Sequence, residues 1–208
     1  MAQMILIIDY GMCNLGSIIN MFKKIGVPAK ASSEAKEIEA ADKIILPGIG
    51  AFDTGMQHLK DLNLLETLNE KVLNQKVPVL GLCLGMQLLT ERSEEGVLPG
   101  LGWISGETVR FRFDAGHANL KVPHMGWNTV TICRENPLFR GLEQDARFYF
   151  DHAYYVVSHS QHDALAITSY GNDFVSSVHR DNLWGTQFHP EKSHRFGMKL
   201  LKNFAEIV

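Results

Sequence analysis

Val77-Pro78-Val79-Leu80-Gly81-Leu82-Cys83-Leu84-Gly85-Met86-Gln87-Leu88-Leu89 holds the strongest signal in the chain: a strand that runs straight into a helix. Val77 to Leu82 form a continuous apolar run, the pattern of a strand covered on both faces. Helical spacing takes over after Cys83, which sits at the joint between Gly81 and Gly85. This is a Gly-x-nucleophile-x-Gly elbow with cysteine in the place of serine. Such a turn is strained, and its glycines let strand and helix approach without a Cβ between them. The pattern predicts a thiol at a helix N-terminus, where the dipole and unpaired N–H groups favour the thiolate. The N–H of Leu84 is then a ready oxyanion donor. A buried cysteine that merely fills the joint is the plain alternative, and the paired glycines argue against it. Cys13 and Cys133 have no such setting.

Outward from the elbow, strand and helix patterns alternate. Met4 to Ile8 and Ile44 to Leu46 read as further buried strands. Leu15, Ile18, Ile19, Phe22 and Ile25 repeat at helical spacing before Gly26 and Pro28, and Leu65, Leu68 and Val72 mark another helix. This alternation predicts parallel βαβ units. Beyond Gly96 the texture changes to short segments separated by turn residues: Thr108–Phe113, Arg147–Phe150, Tyr154–Ser158, Leu165–Thr168 and Phe174–Val178. A final helix is predicted from Ser193 to Ile207. The expected fold is therefore α/β: an open, mostly parallel twisted sheet flanked by helices, with additional partly antiparallel strands in the second half. With no repeat or linker in its 208 residues, the chain reads as one domain, 1–208.

A thiol nucleophile needs a base, and the base an orienting group. Among nine histidines, His189 stands out in Gln187-Phe188-His189-Pro190-Glu191-Lys192, after an apolar strand pattern. Pro190 keeps His189 out of helix. In an extended segment, residues two apart share one side, so Glu191 is predicted to accept the Nδ1 proton and leave Nε2 toward Cys83. Pro47-Gly48-Ile49-Gly50 follows a buried strand and can turn N–H groups into a cavity as the second oxyanion donor. A dinucleotide fingerprint fails there, because a third glycine and an opening helix are not expected. Gln87, one turn beyond Cys83, is placed to bind a carboxamide, although an exposed helix glutamine is the plainer reading.

Composition narrows the function classes. A net charge of −3, from 20 basic and 23 acidic residues without long like-charge runs, predicts no nucleic-acid or membrane partner. The odd cysteine count, without a Cys-x-x-Cys pair, argues against disulfides and zinc. No metal and no cofactor are expected, and a cytoplasmic setting fits the beginning of the chain and its apolar runs.

Taken together, the cysteine elbow with its following glutamine, the Pro-Gly-x-Gly loop and the His-x-Glu pair resemble the class I, triad-type glutamine amidotransferases. Pro123-His124-Met125-Gly126-Trp127-Asn128 further resembles the glutaminase subunits of imidazole glycerol phosphate synthase. The resemblance implies a glutamyl thioester on Cys83, acid–base work by His189 and orientation by Glu191. It also implies an oxyanion site near Gly48, Ile49, Gly50 and Leu84, and L-glutamine held by Gln87 and the segment His152-Ala153-Tyr154. It places Asn14, Pro123, Met125, Trp127, Tyr149 and Lys192 toward a (β/α)8-barrel cyclase, the second half of a heterodimer. That cyclase would use the ammonia to make imidazole glycerol phosphate and an aminoimidazole carboxamide ribotide in histidine biosynthesis. Cys13, Asp151 and Ala153 depart from the family's usual residues. A paralogous glutaminase feeding a surface-sugar amidotransferase, a thiol peptidase and a non-catalytic regulatory subunit are the alternatives.

Overall fold

The computed structural model describes residues 4–113, 116, 120–142 and 146–207. Its first half alternates strand and helix: β1 (Ile5–Ile8), α1 (Leu15–Lys24), β2 (Ala29–Ser32), α2 (Ala35–Glu39), β3 (Lys43–Gly48), α3 (Phe52–Asp61), α4 (Leu65–Asn69), β4 (Val79–Cys83) and α5 (Leu84–Leu88). Strands dominate the second half: β5 (Arg92–Ser93), β6 (Gly106–Arg110), β7 (His124–Thr129), β8 (Thr131–Ile132), β9 (Arg147–His152), β10 (Tyr154–Ser158), β11 (Ala164–Tyr170), β12 (Asn172–Arg180) and β13 (Leu183–Thr186). Helix α6 (His194–Glu206) comes after them.

The main sheet runs β2-β1-β3-β4-β13-β12-β10-β6-β5, with β11 paired to β12 and β8 to β11. From β2 to β13 neighbouring strands are parallel. Pairing then turns antiparallel through β12, β10 and β6. Strands β7 and β9 form a separate antiparallel pair. This is the mostly parallel α/β sheet with antiparallel additions that the sequence predicts.

The continuous apolar strands have a simple cause. Successive side chains of a strand face opposite ways, and both faces of this sheet are covered. Ile5 and Ile7 enter one core with Phe22, Leu80 and Phe204. Leu6 and Ile8 enter the other with Leu46, Phe52 and Leu84. Each such fully buried aliphatic side chain contributes ~1.5–3 kcal/mol by leaving water.

Several elements differ from the sequence expectations. Helix α3 opens at Phe52, directly after the glycine loop, where no helix is expected. It contains Gly55, a poor helix former. A Cβ on Gly55 would lie only 3.2–3.3 Å from Leu88 and Leu84, so close packing on α5 explains that glycine. The Leu65, Leu68 and Val72 stripe spans α4 and then a π-helical turn, Glu70–Asn74, rather than one helix. The elbow strand begins at Val79, since Pro78 has no N–H to donate to a ladder. Strand β2, helix α2 and strand β7 are further elements that periodicity alone does not reveal. No helix among the described residues is long and apolar enough to cross a membrane.

Candidate active site

Three neighbouring parallel strands, β3, β4 and β13, deliver the site from their C-terminal ends. Register places Gly48 opposite Cys83, and Thr186 opposite Leu82. The glycine loop, the thiol and the segment carrying His189 therefore leave the sheet side by side. Crevices beyond the carboxyl ends of parallel strands are the usual ligand position in such sheets.

Cys83 is the last residue of β4 and the cap of α5, with φ 52° and ψ −108°. A positive φ is uncommon outside glycine and costs free energy that the surroundings must offset. The flanking glycines show how closely the elbow packs. A Cβ on Gly85 would lie 1.8 Å from the Leu46 carbonyl oxygen, and one on Gly81 would meet the Gly85 carbonyl group at 2.8 Å. Both glycines are thus required by contact. Helix α5 spans only Leu84–Leu88, so its macrodipole is weaker than the sequence pattern suggests.

His189 is buried, and its Nδ1 lies 2.7 Å from Oε1 of Glu191. In that contact the Nδ1–H donates to the Glu191 carboxylate, which leaves Nε2 for Cys83. The two residues do not share an extended strand face as expected: Pro190–Lys192 is a 3-10 turn, which curls Glu191 back under the ring. Burial is the largest influence on the His189 imidazolium and pulls its pKa down. Cys83 and then Glu191 together outweigh burial and raise it to about 10. A cation beside the sulfur favours the anionic nucleophile.

The backbone of His189 is fixed from the antiparallel side. Its N–H donates to Tyr149 O at 2.9 Å. The Ser193 hydroxyl donates to His189 O at 2.6 Å and accepts from Tyr149 N at 3.0 Å. Ser193 is a positioning residue that sequence reading takes for a helix start.

A cavity of about 230 Å³ opens on the thiol, lined by Ile49, Gly50, Leu84, Gln87, Pro123 and His189, and by Asp151 to Tyr154. Glu95 also reaches this wall, and its Oε2 accepts the Phe52 N–H at 2.8 Å. In the sequence Glu95 carries no site signal, standing beside Glu94 in a polar stretch. A larger cavity of about 1080 Å³ lies between Thr131 and Leu142, and neither cysteine nor histidine is among its lining residues.

The remaining predicted residues fall in two groups. Gln87 is buried rather than exposed, and its amide nitrogen donates to Tyr154 O and Gln187 Oε1. Only its Oε1 remains for a ligand. The Ile49 N–H does not face the sulfur, because it donates to Met12 O at 2.6 Å. Gly50, at φ 100°, carries the turn beyond it. His152 lies at the cavity's inner wall, its Nδ1 2.7 Å from Tyr154 O. Its Nε2 lies 3.0 Å from His124 Nδ1. Burial lowers the pKa of His152 to about 3 and that of His124 to about 4, so both rings are neutral.

Ile49, Met125 and Trp127 are exposed apolar residues at 48%, 61% and 46% accessibility, and Met125 and Trp127 share one face of β7. Trp127 packs edge-on against Tyr149, and Lys192 lies over the Tyr149 ring at 5.5 Å. Asn14 caps α1 through Ser17 N at 3.2 Å and lines a small cavity with Glu191 and Lys192. Pro123 lines the thiol cavity together with Ile49. No cluster of potential metal ligands occurs among the described residues.

Comparison with known proteins shows the family and the fold. The chain is 51% identical to imidazole glycerol phosphate synthase subunit HisH 2 of Pseudomonas aeruginosa, over 99% of this chain and 100% of that protein. It is 52% identical to the subunit HisH 2 of Methanococcus maripaludis, covering 97% and 98%. Among solved structures, a putative GMP synthase subunit from Thermoplasma acidophilum superposes with a TM-score of 0.74 at 19% identity, covering 99% and 94%. PurLQS from Thermotoga maritima gives 0.74 at 14% identity, covering 99% of each chain, and the two likenesses concern the fold alone. The profile of the class-I glutamine amidotransferases matches residues 6–208, and the chain belongs to that family.

Proposed function

We propose that this chain hydrolyses L-glutamine to glutamate and ammonia through a thioester on Cys83, and supplies the ammonia to the cyclase of imidazole glycerol phosphate synthase in histidine biosynthesis. The observation that carries the reading is the array of buried Cys83, buried His189 and partly buried Glu191 beyond the ends of β4 and β13. The relatives' names as subunits of that synthase support the acceptor. A cavity of about 230 Å³ suits one amino acid better than an extended peptide, which speaks against the peptidase alternative.

The chemistry follows from the residues. The Cys83 thiolate attacks the side-chain carboxamide carbon of glutamine, and the negative charge moves to the carboxamide oxygen. Leu84, first in α5, offers one N–H to that oxygen. His189 gives its proton to the departing nitrogen, the C–N bond breaks, and ammonia leaves with the thioester formed. His189, now neutral, takes a proton from water as it attacks the thioester; the C–S bond then breaks, Cys83 leaves as the thiolate beside the restored imidazolium, and glutamate departs. Glu191 holds the ring throughout. Glu95 and Asp151 present carboxylates at the cavity wall that suit the α-ammonium of glutamine.

The acceptor is a (β/α)8 barrel docked on the face of Ile49, Met125, Trp127, Tyr149 and Lys192, forming a heterodimer. Direct transfer matters because ammonia released into neutral water is mostly protonated and no longer nucleophilic. The test is Cys83→Ala. Glutamine hydrolysis should fall by several orders of magnitude, while synthesis by the complex from added ammonia persists. A variant that retains a tenth of the parental hydrolysis would overturn the assignment.

A further inference from the structure

Gln187 leaves β13 two residues before His189 and is completely buried at 0% exposure. Its Nε2 lies 3.7 Å from the Cys83 sulfur, within donor distance for that atom. Its Oε1 accepts from Gln87 Nε2 at 3.1 Å, and the same nitrogen of Gln87 donates to Tyr154 O at 3.0 Å. From these contacts we infer that Gln187 stabilises the Cys83 thiolate through a directed hydrogen bond, with its amide oriented by Gln87. The inference rests on Cys83 being the glutaminase nucleophile and adds a residue to that machinery.

The direction of the amide follows from donor and acceptor chemistry. A backbone carbonyl only accepts. Tyr154 O therefore fixes the amino end of Gln87 toward itself, and that same amino group faces Gln187. Gln187 must answer with its oxygen, which turns its own amino group to the sulfur. Reversing Gln187 alone would set two amino groups against each other. Reversing both would set Gln87 Oε1 against Tyr154 O. His152 Nδ1 occupies the second lone pair of Tyr154 O at 2.7 Å, so the anchor is saturated from both sides.

A buried amino group without water needs an acceptor. A neutral thiol is a poor one, whereas a thiolate is an anion and accepts a charge-assisted bond. The contact thus lowers the free energy of the ionised sulfur more than that of the thiol. His189 contributes charge to the same end, while Gln187 contributes direction from the interior side. A purely structural Gln187 would serve packing alone, and its replacement by an isosteric apolar residue would leave the ionisation of Cys83 unchanged.

The experiment is the pH dependence of Cys83 alkylation by iodoacetamide in the full chain, for the parent and Gln187→Met. Alkylation is read by mass spectrometry at Cys83, and thermal melting confirms folding. The midpoint should move up by about one pH unit, equivalent to roughly tenfold slower alkylation at neutral pH. If Gln187→Met fails to fold, Gln187→Asn, whose amide falls short of the sulfur, should show the same upward shift. A folded variant whose midpoint stays with the parent overturns the inference. If Cys83→Ala abolishes glutamine hydrolysis at the same time, the glutaminase reading stands and only Gln187 is reassigned. If Cys83→Ala still hydrolyses glutamine, both readings fall together.

Discussion

The parallel strands β3, β4 and β13 and the antiparallel strands β7, β9 and β10 approach the same thiol with different means. The parallel strands bring Gly48, Cys83 and the His189 segment into one row through register alone. Their environment is buried, and the elbow glycines tolerate no added atom. The antiparallel strands bring a cavity wall, Asp151 to Tyr154, and the exposed Met125 and Trp127. On the proposed function, one region fixes the reacting atoms, and the other sets what reaches them and what docks beside them. Chemistry is therefore expected to fail sharply when the first is altered, whereas ligand range, partner response and pH tolerance should shift with the second.

The largest expected effect lies in the parallel region. His189→Ala removes the proton carrier and should lower glutamine hydrolysis by about 10²–10⁴-fold, measured as kcat with the partner present. Binding of glutamine should change far less, because its proposed polar contacts are made by Gln87, Glu95 and Asp151 rather than by His189. A variant with weakened binding and unchanged kcat would place the base elsewhere.

The next effect tests whether the two regions communicate. The Ile49 N–H is held by Met12 O, in the loop between Gly48 and Gly50, and Ile49 itself is exposed on the face proposed to dock the partner. Rotation of that peptide would release the N–H from Met12 and offer it to the oxyanion. Such a donor is worth roughly 2.7–4 kcal/mol, or about a hundred- to a thousandfold in rate. The lone chain should accordingly be nearly silent, and the cyclase loaded with its acceptor should raise kcat much more than it lowers KM. Full activity of the isolated chain would separate the two regions while leaving the triad in place.

What the sequence discloses obeys the same division. The elbow is legible because Gly81 and Gly85 are required by contacts that any such joint makes, so residue type and spacing carry the geometry. His189 and Glu191 are legible because their pairing is local, although the turn that joins them is not. Gln187 escapes notice since a polar residue between Thr186 and Phe188 has no chemical signature until its neighbour in space is known. The only hint is one amide within a buried apolar run. Ser193 looks like an ordinary helix start, yet its hydroxyl ties His189 O to Tyr149 N. Strand β7 and helix α3 are set by packing across the chain, which periodicity does not encode.

Glu191→Gln tests that local pairing and should cost less than loss of His189. The amide keeps the shape and can still accept from Nδ1 through its oxygen, but the negative charge that holds the imidazolium is lost. A decrease of about tenfold to a hundredfold is expected, in keeping with a misplaced rather than missing catalytic group. The decrease should be steeper toward high pH, because the imidazolium of His189 then deprotonates more readily. A loss greater than that of His189→Ala, measured under identical conditions, would reverse the two roles.

The smallest effect belongs to the antiparallel side, where His124 is stacked between Phe150 and Tyr170 and His152 lies tilted against Phe150, both as neutral bases. Their pKa values, about 4 and about 3, lie below the unfolded value of 6.5. Groups with depressed folded pKa values that are bases when neutral stabilise the fold above 6.5, and this stabilisation declines as pH falls toward the folded values. Between pH 7 and 6 each of these histidines should therefore lose about 0.7 kcal/mol of stability. His189 works the other way: raised to about 10, it is protonated in the fold throughout this range. As the unfolded chain gains its proton between pH 7 and 6, His189 adds about 0.7 kcal/mol. His124→Gln retains a donor toward His152 but removes one titrating ring. The loss of stability from pH 7 to 6, followed by urea unfolding, should accordingly be smaller in His124→Gln than in the parent by about 0.7 kcal/mol. Identical pH responses in the two proteins would mean that His124 does not stay neutral in the fold, and that the antiparallel wall behind the site is open to protons.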